Sequence, residues 1–173
     1  MKLKQVEEMV EVYYNSGQFS YILSHLVKRF ASPFELYERL GAYYEEYGLH
    51  LVSHSRVSRY EILLEFAKKY DKEREELYRE LLIFDLYLRE NMKNRPAFAG
   101  EYTVEKEELS SFYEKESKEH QYLKGYEQYD KRQMRKMTHM ERFQYNVAGN
   151  GEKKETVILF DYLRGIKERF QIL

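Results

Sequence analysis

Residues 81–88, Leu-Leu-Ile-Phe-Asp-Leu-Tyr-Leu, decide the fold class of this sequence because they are apolar at almost every position. Leu77 continues their stripe upstream at helical spacing, and Pro96 ends the segment. A helix that is apolar on all sides packs at the centre of a domain. We therefore expect a helical core in which this segment forms the central helix.

Four further helices are predicted upstream, where apolar residues recur at spacings of three and four. The clearest start signal is residues 32–35, Ser-Pro-Phe-Glu, which combine a capping hydroxyl, a proline at the first helical position and an acid three residues after the cap. Gly48 stands where a left-handed residue is expected to end that helix, and Asp71 is expected to cap the fifth helix. The predicted fold class is mainly α, with about five packed helices.

The C-terminal part of the chain changes from helical to strand periodicity. From Met137 onward apolar and polar residues alternate with a period of two, and residues 148–151, Ala-Gly-Asn-Gly, form a turn signal. Residues 156–162 are a β-branched and aromatic run. Together these features predict a C-terminal β-hairpin, which must pack on helices or join a sheet because an isolated hairpin is marginally stable in water.

The predicted domain organisation has three parts. Residues 1–98 form the helical core domain. Residues 99–136 form a charged loop and helix segment, with one solvated helix near residues 104–120. Residues 137–173 form the C-terminal β-hairpin and tail, packed on the same domain.

Composition excludes several classes of function. The chain has 173 residues, 29 Lys and Arg, 30 Asp and Glu and a net charge of −1, so no global basic field holds nucleic acid. It has no Cys, which excludes a thiolate nucleophile, a Cys-based zinc site and a cysteine-ligated iron–sulfur cluster in this chain. No apolar run is long enough for a transmembrane helix. We expect a cytoplasmic location.

A polar cluster precedes the predicted fourth helix. Backbone N–H groups at a helix N-terminus attract anions, and arginines strengthen that attraction. The cluster is therefore a candidate interface or anion contact, whereas the simpler interpretation is a set of caps and solvent-facing arginines. Its members are Ser53, His54, Arg56 and Arg59.

Two other features are candidate sites. His50 and His54 are four residues apart, a spacing that binds zinc on a helix, but Gly48 indicates a loop and we assign no metal ligands. Asp85 interrupts the apolar run, and a buried carboxylate needs a partner. Arg89 at i+4 is the expected one, so that Asp85 and Arg89 form a structural ion pair, with Arg59 as a further candidate partner.

The stretch from Lys124 to Arg142 combines basic residues with Tyr126 and Tyr129, a composition that can bind RNA by charge and stacking. Glu127 dilutes it, together with two other acids in the same stretch. A solvated helical face is the favoured interpretation, and nucleic acid is not an expected partner.

Several segments resemble the C-terminal domain of cobalamin-binding radical S-adenosylmethionine (SAM) proteins, a group described as Fe–S oxidoreductases. The matching stretches occur in one order over nearly the whole chain. They are residues 13–19 (YYNSGQF), 32–37 (SPFELY), 52–56 (VSHSR), 85–91 (DLYLREN), 95–96 (RP), 141–143 (ERF) and 159–162 (LFDY).

The resemblance implies a longer parent polypeptide in which this domain follows a cobalamin-binding domain and a radical barrel. The parent would use a [4Fe–4S] cluster, S-adenosylmethionine and cobalamin, and its radical SAM and cobalamin-binding domains would be the partners of this one. Neither the three-cysteine cluster motif nor an Asp-x-His-x-x-Gly cobalamin motif occurs in this chain, so no catalytic, cofactor-binding or metal residue is transferred to it. Met1 is expected to stand at a domain boundary.

The leading expectation is an accessory domain of such an oxidoreductase, with no activity of its own, that shields the active-site mouth or docks a substrate or partner. The alternative is a free-standing helical adaptor that binds protein or RNA. A small metallohydrolase is the third and least supported class.

Overall fold

The computed structural model describes residues 2–173, which form two compact units, one up to Leu86 and one from Tyr87 onward. This division differs from the predicted boundaries at residues 98 and 136. Apolar side chains of residues 99–136 share a core with the C-terminal strands. The two units are described one after the other.

The first unit is helical. Helix α1 runs directly into a π-helical turn, and short 3-10 turns follow α2 and α3 and precede the fifth helix. The helices are α1 (Lys2–Met9), the π-helical turn (Val10–Asn15), α2 (Ser20–Leu26), α3 (Pro33–Glu46), α4 (Arg56–Tyr70) and α5 (Glu75–Arg89), whose last three residues belong to the second unit.

Helix boundaries in this unit follow local capping chemistry. Ser32 Oγ accepts a hydrogen bond from the Glu35 N–H at 3.1 Å and begins α3 as predicted. Gly48 ends that helix region in the left-handed conformation, with φ of 66°. Asp71 differs from the prediction, because its carboxylate accepts a hydrogen bond from the Tyr78 hydroxyl at 2.6 Å and caps no backbone N–H.

Aromatic rings dominate the core of the first unit. Tyr13, Phe19, Tyr60 and Phe66 are fully buried. The Phe19 ring lies 4.5 Å from that of Tyr60 and 5.0 Å from that of Tyr13, within the range of favourable ring pairs. The abundance of tyrosine in the sequence therefore serves, in part, to fill this core.

The second unit combines two helices with a small antiparallel sheet of strand order β1-β2-β3. The predicted hairpin is confirmed, and the fold is mainly α as expected. Phe170–Ile172 forms a third strand on β2 that the sequence did not predict, because three residues are too few to show a period. The elements are α6 (Lys106–Glu119), α7 (Lys131–Met137), β1 (Thr138–Tyr145), β2 (Lys153–Asp161) and β3 (Phe170–Ile172).

The sheet and α6 share one hydrophobic core. Tyr113 on α6 packs with Leu123, Tyr126, Met140 and Leu159. Helix α6 was predicted to be solvated, yet one of its faces is buried. Within residues 2–173, no helix combines the length and apolar character that a membrane span needs.

Candidate functional site

The predicted polar cluster lies at the start of α4, where Ser55 is the cap. Its Oγ accepts a hydrogen bond from the Ser58 N–H at 3.2 Å. Ser53 and Arg56 are exposed, while His54 and Arg59 are half-buried. The structure brings His54 and Arg59 to one surface cavity of about 300 Å³, whereas Ser53 and Arg56 do not line it.

A chain of hydroxyl groups positions Arg59 in this cavity. Its Nη1 donates to Tyr44 Oη at 3.0 Å, and the Tyr44 and Tyr13 hydroxyls lie 2.6 Å apart. Burial raises the pKa of Tyr13 well above its ordinary value, so its hydroxyl stays neutral. The guanidinium is thus held by neutral groups, and no carboxylate among residues 2–173 lies within 4.0 Å of it.

The two histidines of this region bind backbone oxygens. His54 Nε2 donates to the Leu49 carbonyl at 2.7 Å, and His50 Nδ1 lies 3.3 Å from the Tyr44 carbonyl. Each ring nitrogen that faces a carbonyl must carry the hydrogen, because a carbonyl only accepts. In the described part of the chain, no group of three or more His, Cys, Asp or Glu residues is arranged to hold a metal ion.

The charge of the cavity is mixed. Glu8 and Glu11 line it together with Arg59. The Asn15 amide donates to Glu11 at 2.7 Å, which occupies one of its oxygens. A small free anion would meet both carboxylates, so the arrangement suits a partner surface with donors as well as acceptors better than an isolated phosphate.

Asp85 is buried as predicted, but its partners are backbone groups and not the Arg89 guanidinium. Its two carboxylate oxygens accept hydrogen bonds from the N–H groups of Tyr21 and Ile22, at 3.1 and 3.0 Å. These two residues lie in the first turn of α2, whose N–H groups lack intrahelical acceptors. Asp85 therefore caps α2 from another helix, a contact that local sequence spacing could not reveal.

The electrostatics of Asp85 follow from this setting. Burial raises the pKa of the Asp85 carboxyl to about 8, and the two backbone hydrogen bonds lower it by less. Desolvation acts on the whole charge, whereas neutral N–H donors compensate it only in part. The Asp85 side chain therefore stabilises the start of α2, and it lines none of the described cavities.

A second buried carboxylate, Glu141, was not predicted. It is fully buried on β1, and Arg95 Nε donates to it at 2.8 Å while His139 Nε2 lies 3.0 Å from it. The His139 ring stacks on Tyr87 with centroids 3.8 Å apart. Arg95 also donates to the Gly100 carbonyl. The alternation of β1 places position 141 on the same side as the buried Phe143, but it gives no sign that the partner of Glu141 lies 46 residues away.

The basic stretch between Lys124 and Arg142 does not present its rings to solvent. Tyr126 is buried and Tyr129 packs against the same core. Lys131 pairs with Glu114 at 2.6 Å. The aromatic side chains that would stack on RNA bases are therefore used internally.

Taken together, these features define a mainly helical protein with a small C-terminal antiparallel sheet and polar networks built around buried carboxylates. The chain belongs to the family described as "Protein of unknown function (DUF4080)", whose model matches residues 1–160 and so includes all seven helices of the described chain, β1 and nearly all of β2. No curated protein and no solved structure matches the chain.

Proposed function

We propose that this chain is the C-terminal accessory domain of a cobalamin-dependent radical SAM Fe–S oxidoreductase, and that it shields the mouth of the active site or docks a substrate or partner. The resemblance of seven ordered stretches to such domains supports the proposal. The residues present do not fit a cysteine-ligated cluster, because the chain has no Cys. The [4Fe–4S] cluster, S-adenosylmethionine and cobalamin would belong to other domains of the parent, which are also the proposed partners.

The proposed docking role rests on Arg59, whose guanidinium has no carboxylate within 4.0 Å among residues 2–173. The half-buried guanidinium contacts no carboxylate, although Glu8 and Glu11 line the same cavity, and it can therefore donate to an acidic group of another surface. Leu51 and Val52, immediately before the cluster, are large apolar side chains that are also exposed. An apolar patch beside a positioned arginine is the composition of a protein interface centre. We assign this contact to Ser53, His54, Arg56 and Arg59, with Leu51 and Val52.

The test uses the intact parent protein. Arg56→Ala and Arg59→Ala should each reduce its activity while its Tm stays within a few degrees. Arg39→Ala is the matched control, because Arg39 is an exposed arginine on α3 outside the cluster. A large loss of stability with normal activity per folded molecule would show that the cluster is structural.

The alternative is a free-standing helical adaptor that binds protein or RNA. One observation favours an anionic partner for it: Lys131, Arg132, Arg135 and Lys136 line a surface cavity of about 420 Å³. The upstream reading frame separates the two proposals, since a cysteine-rich segment before Met1 supports the accessory domain. A genuine start codon at Met1, with salt-sensitive binding of single-stranded RNA, supports the adaptor.

A further inference from the structure

A lysine ammonium group in the first unit is surrounded by three tyrosine rings. Lys69 Nζ lies 5.7, 5.6 and 6.0 Å from the ring centroids of Tyr43, Tyr47 and Tyr70. The same Nζ donates a hydrogen bond to the Glu46 carboxylate at 2.8 Å. Several aromatic faces and a carboxylate around one cation form an aromatic cage, the arrangement by which proteins recognise quaternary ammonium groups.

The rings of this cage are held by contacts that do not involve Lys69. Tyr43 and Tyr47 are one helical turn apart at the C-terminal end of α3, and their centroids are separated by 4.6 Å. Tyr43 also meets the fully buried Phe66 edge-on at 5.6 Å, and Tyr70 lies 4.8 Å from the same Phe66 ring. Phe66 thus anchors rings from both helices, so the cage keeps its form when the Lys69 side chain turns away.

The cage is open to solvent, and its internal cation is weakly held. Tyr47 is 56% exposed and Tyr70 is 37% exposed. The side chains of Lys69 and Glu46 are themselves 39% and 55% exposed, and an ion pair in water contributes little to stability. Release of the lysine also restores its rotamer freedom. A ligand cation therefore meets a preformed site that is easily vacated.

The distances in the cage suit a methylated ammonium group. A methyl carbon is about 1.5 Å from its nitrogen and touches a ring carbon at about 3.5–4.0 Å, so the nitrogen sits about 5–5.5 Å from a ring that its methyl group contacts. This separation is close to the spacing around Lys69 Nζ. Lys69 has only hydrogen atoms on Nζ and leaves part of the space unfilled. A bare ammonium is also strongly hydrated, so it loses more hydration in a cage than a methylated one.

We propose that Tyr43, Tyr47, Tyr70 and Glu46 form a binding site for a quaternary ammonium group, and that Lys69 occupies this site in the free chain. The methyl groups pack on the ring faces, and the Glu46 carboxylate supplies the counter-charge. Binding of the ligand moves the Lys69 ammonium into solvent. The proposal concerns the chain by itself and does not depend on the accessory role.

The experiment titrates the purified chain with choline and with its neutral isostere 3,3-dimethyl-1-butanol, and follows the tyrosine ring protons by nuclear magnetic resonance. We expect saturable binding of choline with a Kd on the order of 1 mM, because each exposed ring contributes a weak cation–π contact. The isostere should bind at least tenfold more weakly, since it lacks the charge that the rings and Glu46 attract. Equal binding of the two molecules would overturn the proposal.

A further titration identifies the source of the ligand group, which occurs in free small molecules and in trimethylated lysine side chains. A short uncharged peptide with one trimethyl-lysine is titrated under the same conditions and should compete with choline. Binding at least tenfold tighter than that of choline would assign the group to a protein partner. Similar or weaker binding would assign it to a small molecule.

Removal of Lys69 should strengthen binding, because the side chain and the ligand compete for one place. Lys69→Ala frees the rings and the Glu46 carboxylate, and it should lower the Kd of choline about fivefold. Lys118→Ala is the matched control, because Lys118 is an exposed lysine on α6 that also pairs with a glutamate, Glu114, at 3.2 Å. The control should leave the Kd unchanged, whereas an unchanged or raised Kd in Lys69→Ala would contradict the proposal.

Substitution of one ring locates the site. Tyr47→Leu removes an aromatic face and should raise the Kd of choline about fivefold, while Tyr47→Phe keeps the face and should change it less than about twofold. Tyr14→Leu is the control, because Tyr14 is 65% exposed in the first unit but lies outside the cage. Equal effects of Tyr47→Leu and Tyr14→Leu would overturn the proposal. Absence of saturable choline binding to both the unaltered chain and Lys69→Ala would overturn it as well.

Discussion

The two units each bury a carboxylate but compensate it in different ways. In the first unit Asp85 accepts two backbone N–H groups and has no cation beside it. In the second unit Glu141 is paired with the guanidinium of Arg95. A backbone cap ties a helix end in place with neutral donors, whereas an ion pair stabilises only while both charges are present. The same degree of burial therefore gives different responses to mutation and to pH.

The contrast extends to neighbouring polar groups. In the first unit the buried Tyr13 and Tyr44 hydroxyls bind each other. In the second unit Asp161 accepts from the Tyr126 hydroxyl and lies 3.3 Å from Arg164, again with a cation included. Glu116 is the exception there, because it accepts three backbone N–H groups and resembles Asp85. The contrast is therefore one between particular groups, since Asp71 of the first unit pairs with Arg74 at 3.1 Å.

The largest effect is expected for Arg95→Ala. It leaves Glu141 buried without its guanidinium and should lower the free energy of unfolding by about 3–5 kcal/mol. Urea unfolding monitored by circular dichroism measures the loss, with Arg132→Ala, an exposed arginine in the same unit, as the control. A loss below about 1 kcal/mol would mean that His139 and Thr103 satisfy the carboxylate by themselves.

Asp85→Ala should have the second largest effect, a loss on the order of 3 kcal/mol in the free energy of unfolding. The substitution leaves the Tyr21 and Ile22 N–H groups without acceptors and removes the packing of the carboxyl group. Chemical denaturation measures it, and Glu61→Ala on the exposed side of α4 is the control. An unchanged unfolding midpoint would show that water replaces the cap at no cost.

The pH dependence of stability should report on Asp85. The pKa of Asp85 is raised from 3.8 to about 8 in the folded state, so the folded chain binds more protons than the unfolded chain between these values. This contribution to stability is complete below about pH 4 and is lost as pH rises towards 8. The slope attributable to Asp85 is up to about 1.4 kcal/mol per pH unit.

Asp85→Asn, which cannot titrate, is the control for that slope. Denaturation curves of both proteins at several pH values give the difference directly. If the difference in unfolding free energy stays constant between pH 4 and 8, the two backbone hydrogen bonds hold the pKa near its ordinary value.

Local signals predicted the elements of the fold but not their polar partners. The Ser32 cap, Gly48 and the hairpin turn follow from residue types at fixed short spacings, and the structure confirms them. The cap of α2 could not be predicted in this way, since Asp85 lies 63 residues from Ile22. The i+4 rule pointed to Arg89 because it considers only one helix.

The candidate site was predicted in part. The caps and arginines around residue 55 were visible, because they lie on one helix start. The cavity itself was not, since α1 and α3 contribute Glu8 and Tyr44 to it.

The smallest effect tests the neutral network of the first unit. Tyr13→Phe removes a buried hydroxyl that lies 2.6 Å from that of Tyr44, while Tyr44 keeps the hydrogen bond from Arg59. Because the Tyr44 hydroxyl keeps this hydrogen bond, the expected loss is about 1 kcal/mol in the free energy of unfolding. A double-mutant cycle with Tyr44→Phe should give a coupling energy of similar size, since the two groups are in direct contact. The exposed Tyr47→Phe serves as the control in the same denaturation assay. A coupling energy near zero would mean that their contacts with Arg59 satisfy both hydroxyls, so that the bond between Tyr13 and Tyr44 adds no stability.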